Sequence, residues 1–247
     1  MRNNLKVAVI TPLTEGMLHR QYHRSVLALQ KPKNVNELII RCPDAMEIDV
    51  ALNSSIIKAL GMKVDYIFLW EADMNIPQET LQYLVEDNKD VVSGLYFQKV
   101  YPHMPVLYNY INHPTSKYIM SCFYYYDDGD PKKGLRQVDV VGAGCALIKA
   151  DVFRKIEPPY FRFLKEDPAV KDGGSISADN YFCRKLKDAG VSVFVDTRIC
   201  CGHIYVGEAC EADWVRNRKQ YIEDVTSGKI KLEFEIPPEY KEGESRA

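Results

Sequence analysis

Two carboxylates stand two residues apart at the end of an apolar segment, in the sequence Trp70-Glu71-Ala72-Asp73. In an extended chain, residues i and i+2 project to the same side, so Glu71 and Asp73 can reach one cation. Hard oxygen ligands suit Mg²⁺ or Mn²⁺, and such a cation stabilises the charge of a departing phosphate group. An acidic loop in which Asp73 caps the next helix has the same pattern, so the spacing alone leaves both interpretations open.

Two further polar side chains follow predicted elements later in the chain. His203 comes after a predicted strand at residues 191–196, and a neutral imidazole is a suitable additional ligand for Mn²⁺. Asp179 stands at the start of a predicted helix, where the positive end of the helix dipole favours an ionised carboxylate. An ionised and oriented carboxylate can act as a general base. A hydrogen-bonded structural histidine and a helix-capping aspartate are the alternative interpretations.

Several other chemistries lack their motifs. The pair Cys200-Cys201 with His203 does not form the two spaced clusters that supply the four ligands of structural zinc. The segment Gly142-Ala143-Gly144 is not a dinucleotide-binding GxGxxG, and the sequence contains neither GKS nor GKT. It also contains no GxSxG. These observations disfavour a zinc site, a dinucleotide-binding fold, a P-loop nucleotide hydrolase and a serine hydrolase.

Composition predicts one large globular domain. The chain has 247 residues, of which 46% are apolar and 27% charged. Lysine and arginine number 32 and aspartate and glutamate 34, so the net charge of −2 disfavours nucleic acid as a partner. The longest apolar segments fall short of the roughly 18 residues of a membrane helix, so we expect no membrane span. Seven cysteines without a CxxC pair indicate reduced thiols. The apolar run that ends at Pro12 is too short for a secretory signal, so we expect a cytoplasmic location.

Segments of strand length alternate with segments of helical periodicity, which predicts an α/β fold with a mainly parallel central sheet flanked by helices. The predicted strands are residues 5–11, 37–41, 65–70, 90–96, 138–149 and 191–196. The predicted helices carry apolar stripes at Tyr22, Val26 and Leu29, at Leu52, Ile56, Ile57 and Leu60, at Leu81, Leu84 and Val85, and at Phe182, Leu186 and Ala189, and a last helix covers residues 212–225.

The remaining segments have no sustained periodicity. Residues 97–137 are rich in Tyr, Pro, Asn and Asp and predict hairpins and a loop, and residues 165–177 predict a mobile loop. We assign residues 1–228 to the single domain. Residues 229–247, with two adjacent prolines and a charged end, form a small C-terminal tail in this prediction.

The order of these segments, over about residues 5–205, resembles the GT-A type of glycosyltransferase, in particular the family 2-like enzymes of bacteria, archaea and their viruses. The metal motif of that family is DxD, and Glu71-Ala72-Asp73 resembles it with Glu in the first position. Five segments carry the resemblance: residues 65–74, 91–96, 142–153, 177–183 with the strand that follows, and 202–203.

The resemblance implies a nucleoside-diphosphate sugar as donor and a divalent cation, manganese or magnesium, as cofactor. The cation on Asp73 would bridge the donor diphosphate, with Glu71 supporting the cation or the donor ribose. His203 would complete the metal site. A glycan or another hydroxyl compound would be the acceptor, so the implied activity is hexosyl transfer, and the resemblance assigns no oligomeric state.

The resemblance also implies roles outside the metal motif. Asp179 would deprotonate the acceptor hydroxyl as a general base. Gly142 and Gly144 would border the acceptor side. The nucleotide pocket would be lined by Thr11, Pro12 and Asn53.

Three positions depart from the family pattern. Leu52 stands where relatives often have Arg, Ala178 replaces the Glu beside the implied base, and Glu71 has a longer arm than Asp. Two alternatives to a glycosyltransferase therefore remain open at this stage. One is a non-catalytic carbohydrate-binding protein of the same shape. The other is a nucleotidyltransferase, although residues 11–15 lack the Gly-rich loop with Lys or Arg that such an enzyme needs.

Overall fold

A computed structural model describes residues 4–13, 18–42, 47–111, 120–122, 134–166, 174–205 and 208–230. The strands are β1 (Leu5–Ile10), β2 (Val35–Arg41), β3 (Tyr66–Trp70), β4 (Met74–Asn75), β5 (Val91–Leu95), β6 (Leu107–Tyr110), β7 (Met120–Cys122), β8 (Leu135–Val138), β9 (Val140–Val141), β10 (Cys145–Lys149), β11 (Val193–Cys200), β12 (Gly202–Ile204) and β13 (Glu208–Ala209). The α-helices are α1 (Arg20–Ala28), α2 (Ile48–Gly61), α3 (Thr80–Asp87), α4 (Ala178–Asp188) and α5 (Glu211–Thr226), and Ala150–Arg154 forms a 3₁₀ helix.

Seven strands form the central sheet, in the order β2-β1-β3-β10-β5-β11-β8. Strands β1, β2 and β3 are mutually parallel, and β5 is parallel to β11. Strand β10 lies antiparallel between β3 and β5, and β8 is antiparallel to β11. Five strands therefore share one direction and two oppose it, so the predicted α/β class with a mainly parallel sheet is confirmed.

The sheet is buried on both faces because apolar side chains occupy both sides of its inner strands. In β1, Val7 and Val9 pack in the cluster that contains residues of α1 and α3. Ala8 and Ile10 pack on the opposite face, in the cluster that contains residues of α2, α4 and α5. Alternate residues of a strand project to opposite faces, so the sheet lies between two helical layers. Ile57 was predicted to lie on the apolar stripe of α2, but its side chain is 54% exposed.

The segment predicted as a single strand at residues 138–149 is divided between two sheets. Strand β9 pairs with β6 in a three-stranded sheet, whereas β10 pairs with β3 and β5 in the central sheet. The chain changes sheets at Gly142-Ala143-Gly144. A Cβ on Gly142 would lie 1.7 Å from the Tyr96 hydroxyl, so this crossing needs glycine.

A second small sheet joins the end of β3 to the end of β11. Strand β12 pairs antiparallel with β4 and with β13, and His203 lies opposite Met74. The antiparallel register places residue 203 beside the segment that follows β3. Two chain segments far apart in sequence therefore meet at the edge of the central sheet.

Parts of the predicted loops, at residues 112–119, 123–133 and 167–173, lie outside the described residues, as do residues 231–247 of the predicted tail. The domain boundary at residue 228 stays a prediction. None of the described helices is long and apolar enough to cross a membrane.

Gly94 in β5 lets residues 199–201, which lead into β12, pack closely against the sheet. An added Cβ would lie 2.8 Å from Ile199 Cγ2 and 3.2 Å from the Sγ atoms of Cys145 and Cys201. We expect Gly94→Ala to lower the free energy of unfolding by about 1–3 kcal/mol, because overpacking forces neighbours to shift. Urea denaturation followed by circular dichroism measures this change.

Gly61→Ala is the matched control. Gly61 is the last residue of α2, and an added Cβ there meets nothing within 4 Å. Alanine at this position should leave stability unchanged or raise it by up to about 1 kcal/mol. Equal effects of the two substitutions would contradict the close packing described at Gly94.

Candidate functional site

The candidate site lies where β3 ends and β10 begins. Cys145 of β10 lies opposite Trp70, the last residue of β3, because the two strands are antiparallel. The Glu71 N–H donates to the Gly144 carbonyl at 3.0 Å. The acidic segment and the glycine segment therefore share the edge where the parallel strands have their carboxyl ends, which is the usual ligand-binding edge of an open α/β sheet.

The structure brings together the side chains of two of the predicted metal ligands, Asp73 and His203. Strand pairing places His203 opposite Met74, and the Ile204 N–H donates to the Asp73 carbonyl at 2.7 Å. The side chains meet with His203 Nε2 3.4 Å from Asp73 Oδ2. The backbone ladder between β4 and β12 therefore fixes the distance between these two side chains.

The other ring nitrogen of His203 is held by the main chain. Nδ1 lies 2.8 Å from the carbonyl oxygen of Phe97, which accepts hydrogen bonds only. Nδ1 therefore carries a proton, and Nε2 is the ring nitrogen that faces Asp73. The Tyr96 ring packs edge-on against the imidazole at 5.4 Å and fixes its plane.

The Asp73 carboxylate keeps its charge although it is largely buried. Oδ2 accepts a hydrogen bond from Lys99 Nζ at 2.5 Å. Burial favours the neutral acid, but the interactions of the carboxylate with His203 and Lys99 outweigh it and lower the pKa of Asp73 to about 2. Oδ1 is buried and has no hydrogen-bond partner among the described residues.

Glu71 does not complete a three-ligand metal site with Asp73 and His203. Within the described ranges, no group of three His, Cys, Asp or Glu side chains could hold a metal ion. Burial raises the pKa of Glu71 well above its usual value, and the negative charges of Asp179 and Asp73 raise it further. A direct contact of Glu71 with a cation therefore stays a prediction, whereas the structure fixes its main chain against Gly144.

Asp179 lies in the first turn of α4, whose N-cap is Ser177. The Ala143 N–H donates to its carboxylate, but burial is the larger effect and raises the pKa of Asp179 to about 6. The net shift of this pKa is therefore upward, because desolvation is a larger effect than the favourable N–H groups at the start of the helix. The carboxylate is nevertheless mostly ionised at pH 7 and is close to the pKa that suits a general base.

Tyr96 links the two halves of the site through the glycine segment. Its hydroxyl accepts a hydrogen bond from the Gly144 N–H at 3.3 Å, and a Cβ on Gly144 would meet its ring at 3.1 Å. Burial raises the pKa of Tyr96 well above 10, so the phenol stays neutral. The acceptor-side role of Gly142 and Gly144 remains a prediction, and the structure gives both a packing role beneath this ring.

The predicted nucleotide-pocket residues are engaged inside the protein. The Thr11 hydroxyl lies 2.6 Å from the Tyr22 hydroxyl in a buried contact, and Pro12 is buried after β1. Asn53 Nδ2 donates to the carbonyls of Asp49 and Phe161, and its Oδ1 accepts from the N–H groups of residues 160 and 161.

All four hydrogen-bonding positions of the Asn53 amide are therefore occupied by main chain. This geometry shows Asn53 holding the loop at residues 160–161 against α2, and its role in a nucleotide pocket stays a prediction. The Thr11 hydroxyl is likewise paired with a buried side chain, and its role in the nucleotide pocket also stays a prediction.

Lys99 is the functional candidate that the sequence analysis missed. It follows β5 at the same sheet edge at which Asp73 follows β3, and its ammonium contacts Asp73 directly. Its position after the strand predicted at residues 90–96 was the signal that could have identified it, because carboxyl ends of parallel strands meet at one edge.

No protein-family model matches the sequence, and no curated protein matches it. Solved structures match it in fold. The crystal structure of A197 from STIV matches with a TM-score of 0.54 and 16% identity, over 81% of this chain and 86% of that chain. The crystal structure of GalNAc-T7 with UDP, GalNAc and Mn²⁺ matches with a TM-score of 0.52 and 11% identity, over 89% of this chain.

The match covers 48% of the GalNAc-T7 chain, so this chain spans about half of that protein. The inositol-1-phosphate CTP transferase from T. maritima matches with a TM-score of 0.44 and 13% identity, over 86% of this chain and 93% of that chain, a similarity to which we give no weight. At these identities the similarity concerns the fold alone. It is the GT-A-like α/β fold that the sequence predicts.

Proposed function

We propose that the chain is a glycosyltransferase that moves a sugar from a nucleoside-diphosphate sugar to a hydroxyl group of an acceptor. The observation that supports this function best is the 3.4 Å approach of His203 Nε2 to Asp73 Oδ2 at the ligand-binding edge of a GT-A-like sheet. The GalNAc-T7 structure, which has a similar fold, contains UDP, GalNAc and Mn²⁺.

A divalent cation fits the Asp73–His203 pair. Asp73 Oδ1 is buried without a hydrogen-bond partner in the described chain, and His203, whose Nδ1 is bound to the Phe97 carbonyl, can offer Nε2 as a ligand. A carboxylate and an imidazole are suitable ligands for Mn²⁺, and the remaining ligands would come from the donor diphosphate and water. When bound, the cation would offset the negative charge of the departing diphosphate.

Asp179 is the proposed general base. Its carboxylate is oriented by the Ala143 N–H and has a pKa of about 6, so it can accept a proton near neutral pH. It would take the proton of the acceptor hydroxyl as the oxygen of that group attacks the anomeric carbon. Glu71, whose pKa is raised, would be a neutral hydrogen-bond donor to a hydroxyl of the donor, such as the ribose.

The first prediction concerns the cation site. With a panel of nucleoside-diphosphate sugars and Mn²⁺, we expect donor hydrolysis or transfer by the wild-type protein, measured as released nucleoside diphosphate. Asp73→Asn and His203→Gln should each lower kcat/KM by roughly 10²–10³-fold, because each removes a group that stabilises charge in the transition state.

His23→Gln is the control for this experiment, since His23 is exposed on α1 and should keep wild-type turnover. Activity that survives Asp73→Asn would contradict the proposed cation site. Pyrophosphate release from a nucleoside triphosphate, with no turnover of any sugar donor, would indicate a nucleotidyltransferase instead. Glycan binding without turnover or nucleotide binding would indicate a non-catalytic carbohydrate-binding protein.

The second prediction concerns the pH dependence of Asp179. We expect kcat/KM to fall as the pH drops through about 6 and Asp179→Asn to lower it by roughly 10²–10⁴-fold, the range for loss of a general base. Ionisation of Asp179 has the opposite effect on the stability of the fold. Burial raises the folded-state pKa of Asp179 above its ordinary 3.8, so ionisation costs stability as the pH rises from about 4 to about 6.

Asp179→Asn should therefore not lower Tm at pH 7.5, although it removes activity. Thermal denaturation at pH 4.5 and pH 7.5 measures this effect. Asp151→Asn serves as the matched control, because the Asp151 side chain is 74% exposed. A large fall in Tm of Asp179→Asn at pH 7.5 would show that its lost activity reflects unfolding and would remove the support for a general base.

A further inference from the structure

The Lys99 ammonium binds the oxygen atom that the proposed cation would use. Its Nζ lies 2.5 Å from Asp73 Oδ2, and His203 Nε2 lies 3.4 Å from the same oxygen. The lysine is thus a positive charge placed on the carboxylate of the proposed metal pair. A cation bound between Asp73 and His203 and an ammonium bound to Oδ2 would repel each other at this distance.

The ammonium can leave this position while the main chain stays in place. The Gln98 N–H donates to the Met104 carbonyl at 2.8 Å, and the His103 N–H donates to the Val100 carbonyl at 2.8 Å. His103 Nδ1 also lies 2.9 Å from the Gln98 carbonyl oxygen. These contacts hold the loop on both sides of Lys99, whose side chain is 39% exposed. Rotation of a flexible four-carbon stem therefore suffices to move the charge.

We infer that the Lys99 ammonium balances the negative charge of Asp73 until a divalent cation binds, and that it then moves to the diphosphate of the donor. The inference rests on the proposed function. A cation–diphosphate pair bound at Asp73 would bring anionic oxygen atoms to the same sheet edge. A lysine ammonium is a strong hydrogen-bond donor to phosphate oxygens, so the displaced ammonium can bind the diphosphate instead.

Lys99 thereby acts as a positioning residue that couples the two ligands. It opposes the binding of a cation alone, because the cation must displace it. It favours the cation together with a diphosphate, because the displaced ammonium gains a new hydrogen bond. Such a coupling between two ligands is reciprocal, and it can be measured without turnover.

The test compares wild type with Lys99→Met, which removes the charge and keeps the stem length. We expect Lys99→Met to bind Mn²⁺ alone about tenfold more tightly, measured by electron paramagnetic resonance of free Mn²⁺. In the presence of saturating Mn²⁺, we expect it to bind inorganic pyrophosphate about tenfold more weakly, measured by calorimetry. Pyrophosphate is the probe because it contains the group that all nucleoside diphosphates share.

Lys99→Arg keeps the charge and should bind Mn²⁺ alone as weakly as wild type. Lys155→Met is the matched control, since Lys155 is half exposed and pairs with Asp90 away from the site. It should leave both affinities unchanged, and circular dichroism confirms folding of each variant.

Equal Mn²⁺ affinity of wild type and Lys99→Met overturns the inference, as does an unchanged affinity for pyrophosphate. Either result leaves the proposed function intact, because that function is tested by donor turnover. Absence of Mn²⁺ binding in every variant overturns both the inference and the proposed cation site.

Discussion

The charge on Asp73 is the constraint on which the rest of the site depends. A largely buried carboxylate is costly unless charged or polar groups face it. Lys99 and His203 face Asp73, and together they lower its pKa to about 2. The pairing of β12 with β4 and the bond of His203 to the Phe97 carbonyl keep the imidazole in place. The local structure is thus built around one permanent negative charge.

The antiparallel strand β10 explains why the proposed base and the proposed cation ligands share one edge. Its first residue lies opposite the last residue of β3, so the Gly142-Ala143-Gly144 segment meets the acidic segment there. The Ala143 N–H holds Asp179, and the Gly144 N–H holds Tyr96, which packs on His203. A parallel strand in this position would place the glycine segment at the opposite edge of the sheet.

The sequence predicted those parts of the structure that depend on local pattern. Alternation and helical spacing located the inner strands and helices, since each strand buries both faces and each helix one stripe. The direction of β10 and the division of residues 138–149 depend on long-range pairing, which apolar periodicity does not encode.

The environment of single site residues was harder to predict. Asn53 matched a motif, but its amide is hydrogen-bonded to residues 160–161, which lie far away in sequence. Lys99 was missed because a single lysine after a strand carries no motif.

Three acidic side chains of this edge have different environments, and the difference suggests a division of roles. Asp73 faces a lysine and a histidine, so its pKa is about 2 and it remains charged for binding. Asp179 is partly buried and has one main-chain donor, so its pKa is about 6 and it can exchange a proton near neutral pH. Glu71 is partly buried beside both of these charges, and desolvation together with their repulsion raises its pKa. Carboxyl groups whose pKa values are pushed apart in this way can serve as ligand, base and donor in one pocket.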